Sequence, residues 1–571
     1  MRLLVPLHRS PTHPSRLMKM LFCGAGALMV ASAWSICSWP KIRLTALYLA
    51  MPGLFFFAFD ALLAVLIGYR YILGGLSNEA APGPTKFSNC DVPIVVPVLI
   101  RNSHDVAAVE SLLKACSGGP FEIPNPIWIA VDFRDADYEQ HRDDALLKDL
   151  LIQVLDTSRN CRELSNRAPA GLLIRPRLWN QHELKWMGYE RKRGKIEESL
   201  RYLNGEDHNF EIVRRSAHSP CKHAFVMDLD SRIKLKDLAA LHEAFDRARE
   251  CSEPTRRPAL MAPIVKKLTR DREPFERWLV EPEVFDRFFI RSSPSLRQDG
   301  LGLDIYHGKA ILNIGDFLER CTAFETNTVL SHDHVESLMG YGQSTHVAKV
   351  YEPFPNSRLD WERRQHRWVR GDIQIAPYLL GVRRFAGRRL SSFERLGSFQ
   401  IVLGSLMPIF QYLFIACNVA AGAQYALSAL AVIIATEQRG VLFAGVDVAR
   451  RGDTADDRPG FIRAAIYAIS NSALMYAGLV IFLQRNFLIT TDAVGVSVFR
   501  LINGRSGLLE WYPADGSIVI RRRRVAEALI LVCCGILAYT GTSSAWLPVV
   551  ALFWVLAPAL ISVCSVRHLR G

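Results

Sequence analysis

Two long apolar regions bracket a polar middle block, and this segregation constrains the fold of the chain more than any other feature. Residues 20–74 and roughly 398–563 are mostly apolar, whereas the block between them has the mixed composition of a globular domain. A helix that crosses a bilayer needs about 20 consecutive apolar residues. The pattern therefore predicts a membrane region on each side of one water-facing domain, in a chain of 571 residues.

The N-terminal apolar region contains two closely spaced stretches, from Leu21 to about Cys37 and from Leu44 to about Leu73. The first follows a basic leader and has the form of a signal peptide, but the second and longer stretch follows almost at once. Two neighbouring spans after basic residues return the chain to the cytoplasm. The sequence therefore favours a membrane hairpin in residues 1–74 over a cleaved signal peptide.

The C-terminal region, residues 391–571, contains further segments of spanning length. The candidate spans are residues 398–417, 419–436, 525–543 and 545–563. Residues 461–483 are also apolar, but counting them as a full span would place the basic run Arg521 to Arg524 outside the cell, against the charge rule. We therefore predict six spans in all and interpret residues 461–483 as an interfacial or re-entrant helix.

The formal net charge of +13 suggests a nucleic-acid partner, but the position of the charge favours a membrane. Basic clusters flank the apolar regions, and they are Arg2 to Lys19, Arg383 to Arg389 and Arg521 to Arg524. Juxtamembrane Lys and Arg face the cytoplasm and are attracted to anionic lipid. The twelve cysteines show no CxxC and no regular spacing, which indicates a reduced, cytoplasm-facing domain. We predict a lipid bilayer as partner, and no nucleic acid.

In the middle block, residues 75–390, apolar strand-like runs alternate with helical stretches such as Asp105–Cys116. The runs that read as buried strands are Val92–Ile100, Pro126–Asp132 and Ala224–Met227. This alternation predicts an α/β domain with a mainly parallel sheet. Ligands bind at the carboxyl ends of the strands in such sheets, and Asp132 and Asp228 fall there.

Asp228 and Asp230 form a D-x-D pair directly after the third of these runs. Side chains two residues apart in extended backbone point to the same side. The pair can hold a hard divalent cation, Mg²⁺ or Mn²⁺, which in turn holds a diphosphate. The alternative is a pair of acids that ends a strand in solvent. Asp132 is either a contact to the base or ribose of a nucleotide or an acid that caps the next turn.

Asp333 lies between His332 and His334, after the apolar run Thr328–Leu330. A lone carboxylate in a site can deprotonate an acceptor hydroxyl for in-line attack on an anomeric carbon. One base without a second, nucleophilic carboxylate implies inversion at that carbon. The alternative is an N-cap, for which Ser331 or Asp333 is suitable, ahead of a helix over His334–Leu338, and both roles are compatible.

The motif Gln365-His366-Arg367-Trp368 combines cations with an aromatic ring. Arginine grips phosphate in a forked geometry, and a tryptophan face offers a surface on which a pyranose ring stacks. A solvated basic face near the membrane accounts for the charges. It does not account for Trp368, because an exposed tryptophan is costly.

A second basic motif, Glu190–Lys195, places Gly194 among cations ahead of a predicted helix, Ile196–Leu203. Backbone N–H groups and the charge of Lys195 would suit a phosphate at that helix start. The start of an ordinary surface helix explains these residues equally well.

The order of these motifs resembles that of the membrane glycosyltransferases related to cellulose synthase. Longer stretches resemble the glycosyltransferase domain of the cyclic β-1,2-glucan synthases, over about residues 45–565. These stretches are Arg177–Asn180, Trp186–Lys195, Tyr306–Lys309, Val329–Asp333, Arg364–Asp372, Leu508–Trp511 and Ala557–Ala559. Small departures are Ser231, where the family more often has Thr, and Ala310 in place of Gly.

The resemblance implies a cytoplasmic GT-A domain with a Rossmann-like sheet, attached to an α-helical transmembrane region of the bacterial inner membrane. It implies UDP-glucose as donor, a growing glucan as acceptor, and an inverting reaction that builds a β-glucan, β-1,2-linked, for the periplasm. It also implies a helix ahead of the Leu-Leu-Glu-Trp element that begins at Leu508.

The resemblance also assigns roles to individual residues. Asp132 would contact uridine, and Asp228 and Asp230 would bind the metal and the diphosphate. Asp333 would be the base. The residues that would hold the diphosphate and the acceptor are Gln365, Arg367 and Trp368.

Two other functions stay open at this point. One is a single-turn glycosyltransferase that loads one sugar onto a lipid or protein acceptor, and the other is a catalytically silent subunit of a glucan synthase complex. The chain ends where the phosphorylase-like domain of the resembling family would begin. Partner proteins for product length control or export are therefore expected.

Overall fold

The computed structural model of the protein describes residues 92–163, 170–216, 221–268, 306–322, 325–330, 333–353, 358–383, 390–422, 429–430, 478, 480–503, 507–510, 517–540, 543 and 545–568. The statements below apply to these residues. The predicted hairpin in residues 1–74 lies outside them, as do most of residues 419–436 and of residues 461–483.

Eleven strands are described, and nine of them form one mixed sheet. In chain order they are β1 (Ile94–Ile100), β2 (Ile127–Phe133), β3 (Ala170–Ile174), β4 (Leu178–Asn180), β5 (Lys185–Met187), β6 (Glu211–Arg214), β7 (His223–Val226), β8 (Arg232–Ile233), β9 (Leu260–Leu268), β10 (Ala310–Asn313) and β11 (Gln343–Pro353). The order across the large sheet is β6-β3-β2-β1-β7-β10-β9-β11-β8, and β4 pairs with β5 in a small sheet of their own.

The centre of the large sheet is parallel, as the alternating pattern predicts. β3, β2, β1 and β7 pair in parallel, with Ile94 opposite both Ile127 and Phe225. Every residue of β2 is buried, because helices cover both faces of the strand. β10 then runs antiparallel to β7, so the sheet as a whole is mixed. The three strands predicted from the sequence are confirmed to within two residues at each end.

The described α-helices are α1 (Ser103–Ser117), α2 (Asp144–Glu163), α3 (Arg191–Asn204), α4 (Leu235–Cys251), α5 (Ile314–Cys321), α6 (Asp333–Met339), α7 (Arg358–Leu379), α8 (Ser392–Ala421), α9 (Leu483–Ile502), α10 (Ser517–Tyr539) and α11 (Trp546–His568). Alternate residues of β1 enter two different cores, since successive side chains of a strand point to opposite faces. Val95 packs with α3 and α5, whereas Val96 packs with α1, α2 and α4.

One described helix is long and apolar enough to cross a membrane. It is α8, through Ile401–Ala420, and a capping box between Ser391 and Glu394 begins it. The apolar parts of α10 and α11, Val525–Tyr539 and Trp546–Pro558, are shorter. The described residues thus support one of the six predicted spans, and the multi-pass arrangement stays a prediction. A helix, α9, lies ahead of Leu508, and it begins where the interfacial helix predicted over residues 461–483 ends.

Candidate active site

A cavity of about 900 Å³ lies at the carboxyl ends of β1, β2 and β7. This is the edge at which parallel strands of an α/β sheet present ligand-binding residues. The predicted site residues that line the cavity are Asp132, Lys195, Asp228, Asp230 and Arg367. The topology therefore gathers carboxylates and cations that are far apart in the sequence around one space.

Asp228 follows β7 and is held between two lysines. Lys192 Nζ donates a hydrogen bond to Asp228 Oδ1 at 2.6 Å, and Lys309 Nζ lies 2.9 Å from Asp228 Oδ2. Lys309 Nζ also lies 2.6 Å from Glu352 Oε2. Burial alone would raise the pKa of Asp228, but the charges of the two lysines hold it well below its ordinary range. Asp228 is therefore ionised at neutral pH.

Asp230 faces the same cavity and is exposed to solvent. Desolvation raises its pKa, and the negative charges of Asp228 and Glu352 raise it further. The two lysines thus do not compensate all the negative charge at this position. Paired carboxylates with excess negative charge are a donor set that Mg²⁺ or Mn²⁺ suits, because hard cations prefer oxygen ligands. Asp228 and Asp230 fit the predicted metal site.

Asp132 lies near the end of β2 and is only 4% exposed. Its carboxylate is enclosed by cationic side chains. Arg175 donates from Nε to Asp132 Oδ1 at 2.7 Å and from Nη2 to Oδ2 at 2.8 Å. Lys195 Nζ lies 3.0 Å from Asp132 Oδ2. Burial would raise the pKa of Asp132, but Arg175 and Lys195 lower it. The residue predicted to contact a nucleotide base or ribose thus lines the cavity with both carboxylate oxygens already engaged.

Lys195 is buried with Asp132 and also donates to the backbone oxygen of Val98. Burial lowers its pKa to about 8, against the opposing effect of Asp132. Lys195 therefore remains mostly protonated at neutral pH, although it loses its proton more readily than an ordinary lysine does.

The helix that carries Lys195 begins earlier than predicted. α3 starts at Arg191 and not at Ile196, so the predicted helix start is wrong and Gly194 lies in the first turn. A β-carbon on Gly194 would lie 2.2 Å from the backbone oxygen of Tyr189, so close packing requires glycine there. The first turns of α3 present Arg191, Lys192 and Lys195 to the cavity, and a helix N-terminus favours anions.

Asp333 is the first described residue of α6, so the helix predicted over His334–Leu338 is confirmed. Gly308, with φ +72°, separates its carboxylate from Lys192. A β-carbon on Gly308 would lie 2.5 Å from Lys192 Nζ and 3.6 Å from Asp333 Oδ2, and the positive φ also favours glycine. Burial would lower the pKa of Lys192, but Asp228 and then Asp333 raise it. One lysine therefore lies between the predicted metal-binding carboxylate and the predicted base.

α7 carries the Gln-His-Arg-Trp motif, and Arg364 and Arg367 line the cavity. Burial and the charge of Arg364 lower the pKa of Arg367 to about 10. Trp368 is 42% exposed, with Trp361 at 5.9 Å in an edge-on arrangement and Arg364 at 5.7 Å over its ring. Gln365 and Trp368 do not belong to the described lining of the cavity.

Four charged residues of this region were not among the predicted site residues. Lys192 and Lys309 lie in stretches that carried the family resemblance, so a sequence signal was present for both. Arg175 and Glu352 gave no such signal, because their partners lie far away in the sequence. Arg175 is 43 residues from Asp132.

The chain is similar to the cyclic beta-(1,2)-glucan synthase NdvB of Rhizobium meliloti (strain 1021), with 27% identity over 419 residues. The similarity covers 68% of this chain but only 14% of the relative's length. It confirms the resemblance seen in the motifs. No family model matches the chain.

Solved glycosyltransferase structures are also similar to the chain, at low scores. The mannosyltransferase PcManGT from Pyrobaculum calidifontis, in complex with GDP-Man and Mn²⁺, is 13% identical with a TM-score of 0.38 over 80% of this chain and 99% of that one. S. aureus TarS 1–349, in complex with UDP, is 10% identical with a TM-score of 0.28 over 72% and 92%. Scores this low do not establish a shared fold.

Proposed function

We propose that the protein is an inverting β-glucosyltransferase of the bacterial inner membrane. It uses UDP-glucose to extend a β-glucan, β-1,2-linked, that is delivered to the periplasm. The observation that carries the proposal is the convergence of Asp228, Asp230 and Asp333 with Lys192 and Lys309 at the strand ends. The similarity to a glucan synthase supports glucose as the sugar and a glucan as the product, through a segment that is a small part of that relative.

The diphosphate of the donor has cations available on two sides. Lys192 belongs to the first turn of α3, and Arg364 and Arg367 project from α7. Asp228 and Asp230 would hold Mg²⁺ or Mn²⁺, which supplies further positive charge to a departing diphosphate when bound. Negative charge that develops on the leaving group is thereby stabilised by groups already in place.

Asp333 acts as the general base. Its carboxylate takes the proton from an acceptor hydroxyl, and that oxygen forms a bond to the anomeric carbon from the face opposite UDP. The bond between the anomeric carbon and the UDP oxygen breaks, and the electron pair leaves with UDP. A single displacement converts the α-linked donor into a β-linked product.

The remaining predicted residues serve the two ends of the substrate. Asp132 and Lys195 form the wall that would face the uridine, and Arg175 fixes the position of that wall. Trp368, with Gln365 beside it on α7, would support the acceptor glucan through its exposed ring.

The membrane arrangement completes the proposal. Residues 1–74 form a transmembrane hairpin, residues 75–390 the cytoplasmic GT-A domain, and residues 391–571 the C-terminal membrane region. A contact of 3.0 Å between His366 Nε2 and Asp492 Oδ2 joins α7 to α9, so the Gln-His-Arg-Trp motif is physically linked to that region. The glucan is extended at the cytoplasmic face and leaves across the bilayer, with partner proteins controlling its length or export.

The test uses the full chain, purified in detergent or nanodiscs and supplied with radiolabelled UDP-glucose and Mg²⁺ or Mn²⁺. UDP release is followed, and the labelled carbohydrate is sized. We expect a ladder of β-glucan from the wild type, and none from Asp333→Asn. Asp149→Asn, which changes an exposed carboxylate on α2, is the matched control and should behave as wild type.

Other outcomes point to other functions. One labelled sugar per acceptor would replace the glucan synthase with a single-turn transferase onto lipid or protein. An absence of turnover with any sugar nucleotide, at full UDP binding capacity, would favour a catalytically silent subunit of a synthase complex.

A further inference from the structure

A second group of metal-binding side chains lies at the end of β7 opposite to the cavity. His223 is the first residue of β7, whereas Asp228 follows the last residue of that strand. His242 and Asp246 lie one turn apart on α4 and face His223. The three side chains therefore join a strand to a helix at a place that the proposed sugar transfer does not use.

The distances between the ligand atoms suit a single ion. His242 Nε2 lies 2.9 Å from His223 Nδ1 and 3.3 Å from Asp246 Oδ2. His223 Nε2 lies 3.7 Å from Asp246 Oδ1. Ligands of a tetrahedral zinc ion at about 2.0–2.1 Å are separated from one another by roughly 3.3 Å. One ligand atom from each of the three residues lies within 4.8 Å of the other two, so modest side-chain shifts would bring all three residues onto one ion.

His223 supplies a second, independent observation. Its side chain is 5% exposed, and its Nε2 makes no hydrogen bond within the described part of the chain. A buried polar atom without a hydrogen-bond partner is costly, and such atoms often mark a place for an ion or water. Asp246 is 44% exposed and His242 29%, so an ion can enter from solvent.

We propose that His223, His242 and Asp246 bind one divalent transition-metal ion of the zinc class, with water in the remaining position. Two imidazoles and one carboxylate are a donor set for Zn²⁺ and related ions and not for Mg²⁺. The ion would tie β7, which precedes the D-x-D pair, to α4, which follows it. It would therefore stabilise the two elements that hold Asp228 and Asp230 in place.

Zinc binding to the purified full chain tests this, by equilibrium dialysis at pH 7.5 after removal of bound metal with a chelator. We expect one tightly bound Zn²⁺ per chain, retained in Asp230→Asn because that residue belongs to the cavity. His242→Ala and Asp246→Asn should each weaken binding by at least about 10-fold to 100-fold, since even the loss of a supporting hydrogen bond around a metal has that effect. His104→Ala, an exposed histidine on α1, is the matched control and should bind as wild type.

A stability measurement provides a second readout. Zn²⁺ should raise the thermal midpoint of the wild type and of His104→Ala, and should raise those of His242→Ala and Asp246→Asn less, in line with their weaker binding. Equal zinc affinity in all four proteins would overturn the proposal, as would an absence of tight binding to the wild type. Loss of the ion in Asp230→Asn alone would overturn it too, because the ion would then belong to the cavity.

Discussion

Two carboxylates at the same edge of the sheet have opposite surroundings. Asp132, near the end of β2, is 4% exposed and fully engaged by the fork of Arg175 and by Lys195. Asp228, after β7, has a side chain that is 31% exposed and contacts the single-point charges of two lysines, with Asp230 beside it. Guanidinium forks hold carboxylates rigidly, whereas ammonium groups on flexible stems can exchange partners.

The difference shows how charged residues that stabilise the fold can be distinguished from charged residues that bind a ligand. The Asp132 cluster is closed, so its disruption should damage the fold. The Asp228 cluster is open and carries surplus negative charge, so its disruption should damage binding and turnover. The predictions below run from the largest expected effect to the smallest.

The largest effect is expected at the base that faces the open cluster. Asp333→Asn removes the proton acceptor, and general-base catalysis contributes about 10²-fold to 10⁴-fold. UDP release from UDP-glucose should fall by that factor in an initial-rate assay, with Asp149→Asn as control. Turnover within a factor of two of wild type would remove Asp333 from the proposed chemistry.

Disruption of the closed Asp132 cluster should lower the stability of the folded chain. Arg175→Met removes the forked partner of Asp132 and the ion pair with Glu198, and loss of one member of a buried pair costs about 3–5 kcal/mol. The thermal midpoint of the detergent-solubilised chain should fall accordingly.

The matched control for this change is Arg214→Met. Arg214 makes the same forked contact with Asp156, but both side chains are partly exposed, so a loss of about 0–1 kcal/mol is expected. Equal losses in the two variants would contradict the distinction between buried and exposed pairs here.

The lysine between the two carboxylates should affect binding. Lys192→Ala removes a charged donor, and a hydrogen bond to a charged group is worth about 1.5–3 kcal/mol, or roughly 10-fold to 150-fold in UDP affinity. Isothermal titration with UDP and Mn²⁺ measures this. Lys114→Ala, on the exposed side of α1, should bind UDP as wild type, and a similar loss there would point to a general charge effect.

The smallest expected effect is a pH-dependent change in the thermal midpoint when Asp230 is replaced. Its pKa is raised in the folded chain, so its ionised form is less favourable there than in the unfolded chain. Asp230→Asn should therefore raise the thermal midpoint of the ligand-free chain at pH 7.5. The gain should shrink as the pH falls and vanish below the ordinary pKa of an aspartate, where Asp230 is protonated in both states. A gain independent of pH would contradict the assigned cause.

Strand positions and most of the site could be predicted from the sequence, because local pattern determines them. The apolar run Ile127–Val131 is typical of a buried strand, and acids at the ends of such strands meet at one edge of the sheet. The pairing of Lys309 with Asp228 and Glu352 could not be predicted. It depends on the positions of β10 and β11, which no local pattern fixes.

The start of α3 was also missed for a physical reason. Glycine and clustered cations weaken a helix in isolation, so the pattern placed Gly194 ahead of the helix. In the folded chain Gly194 packs against the backbone of Tyr189, and Glu190 and Arg191 adopt positive φ just ahead of the helix body. Tertiary packing therefore overrides the local preference at the point where α3 meets the cavity.

The central claim is that the open cluster binds a nucleotide diphosphate through its metal-binding carboxylates, while Asp333 serves only the acceptor. UDP binding by isothermal titration calorimetry, with and without Mn²⁺, tests it on the wild type, Asp333→Asn and Asp230→Asn. We predict that Asp333→Asn binds UDP as wild type does, and that Asp230→Asn loses the Mn²⁺-dependent part of the affinity. The same binding defect in both variants, or none in either, would contradict the account.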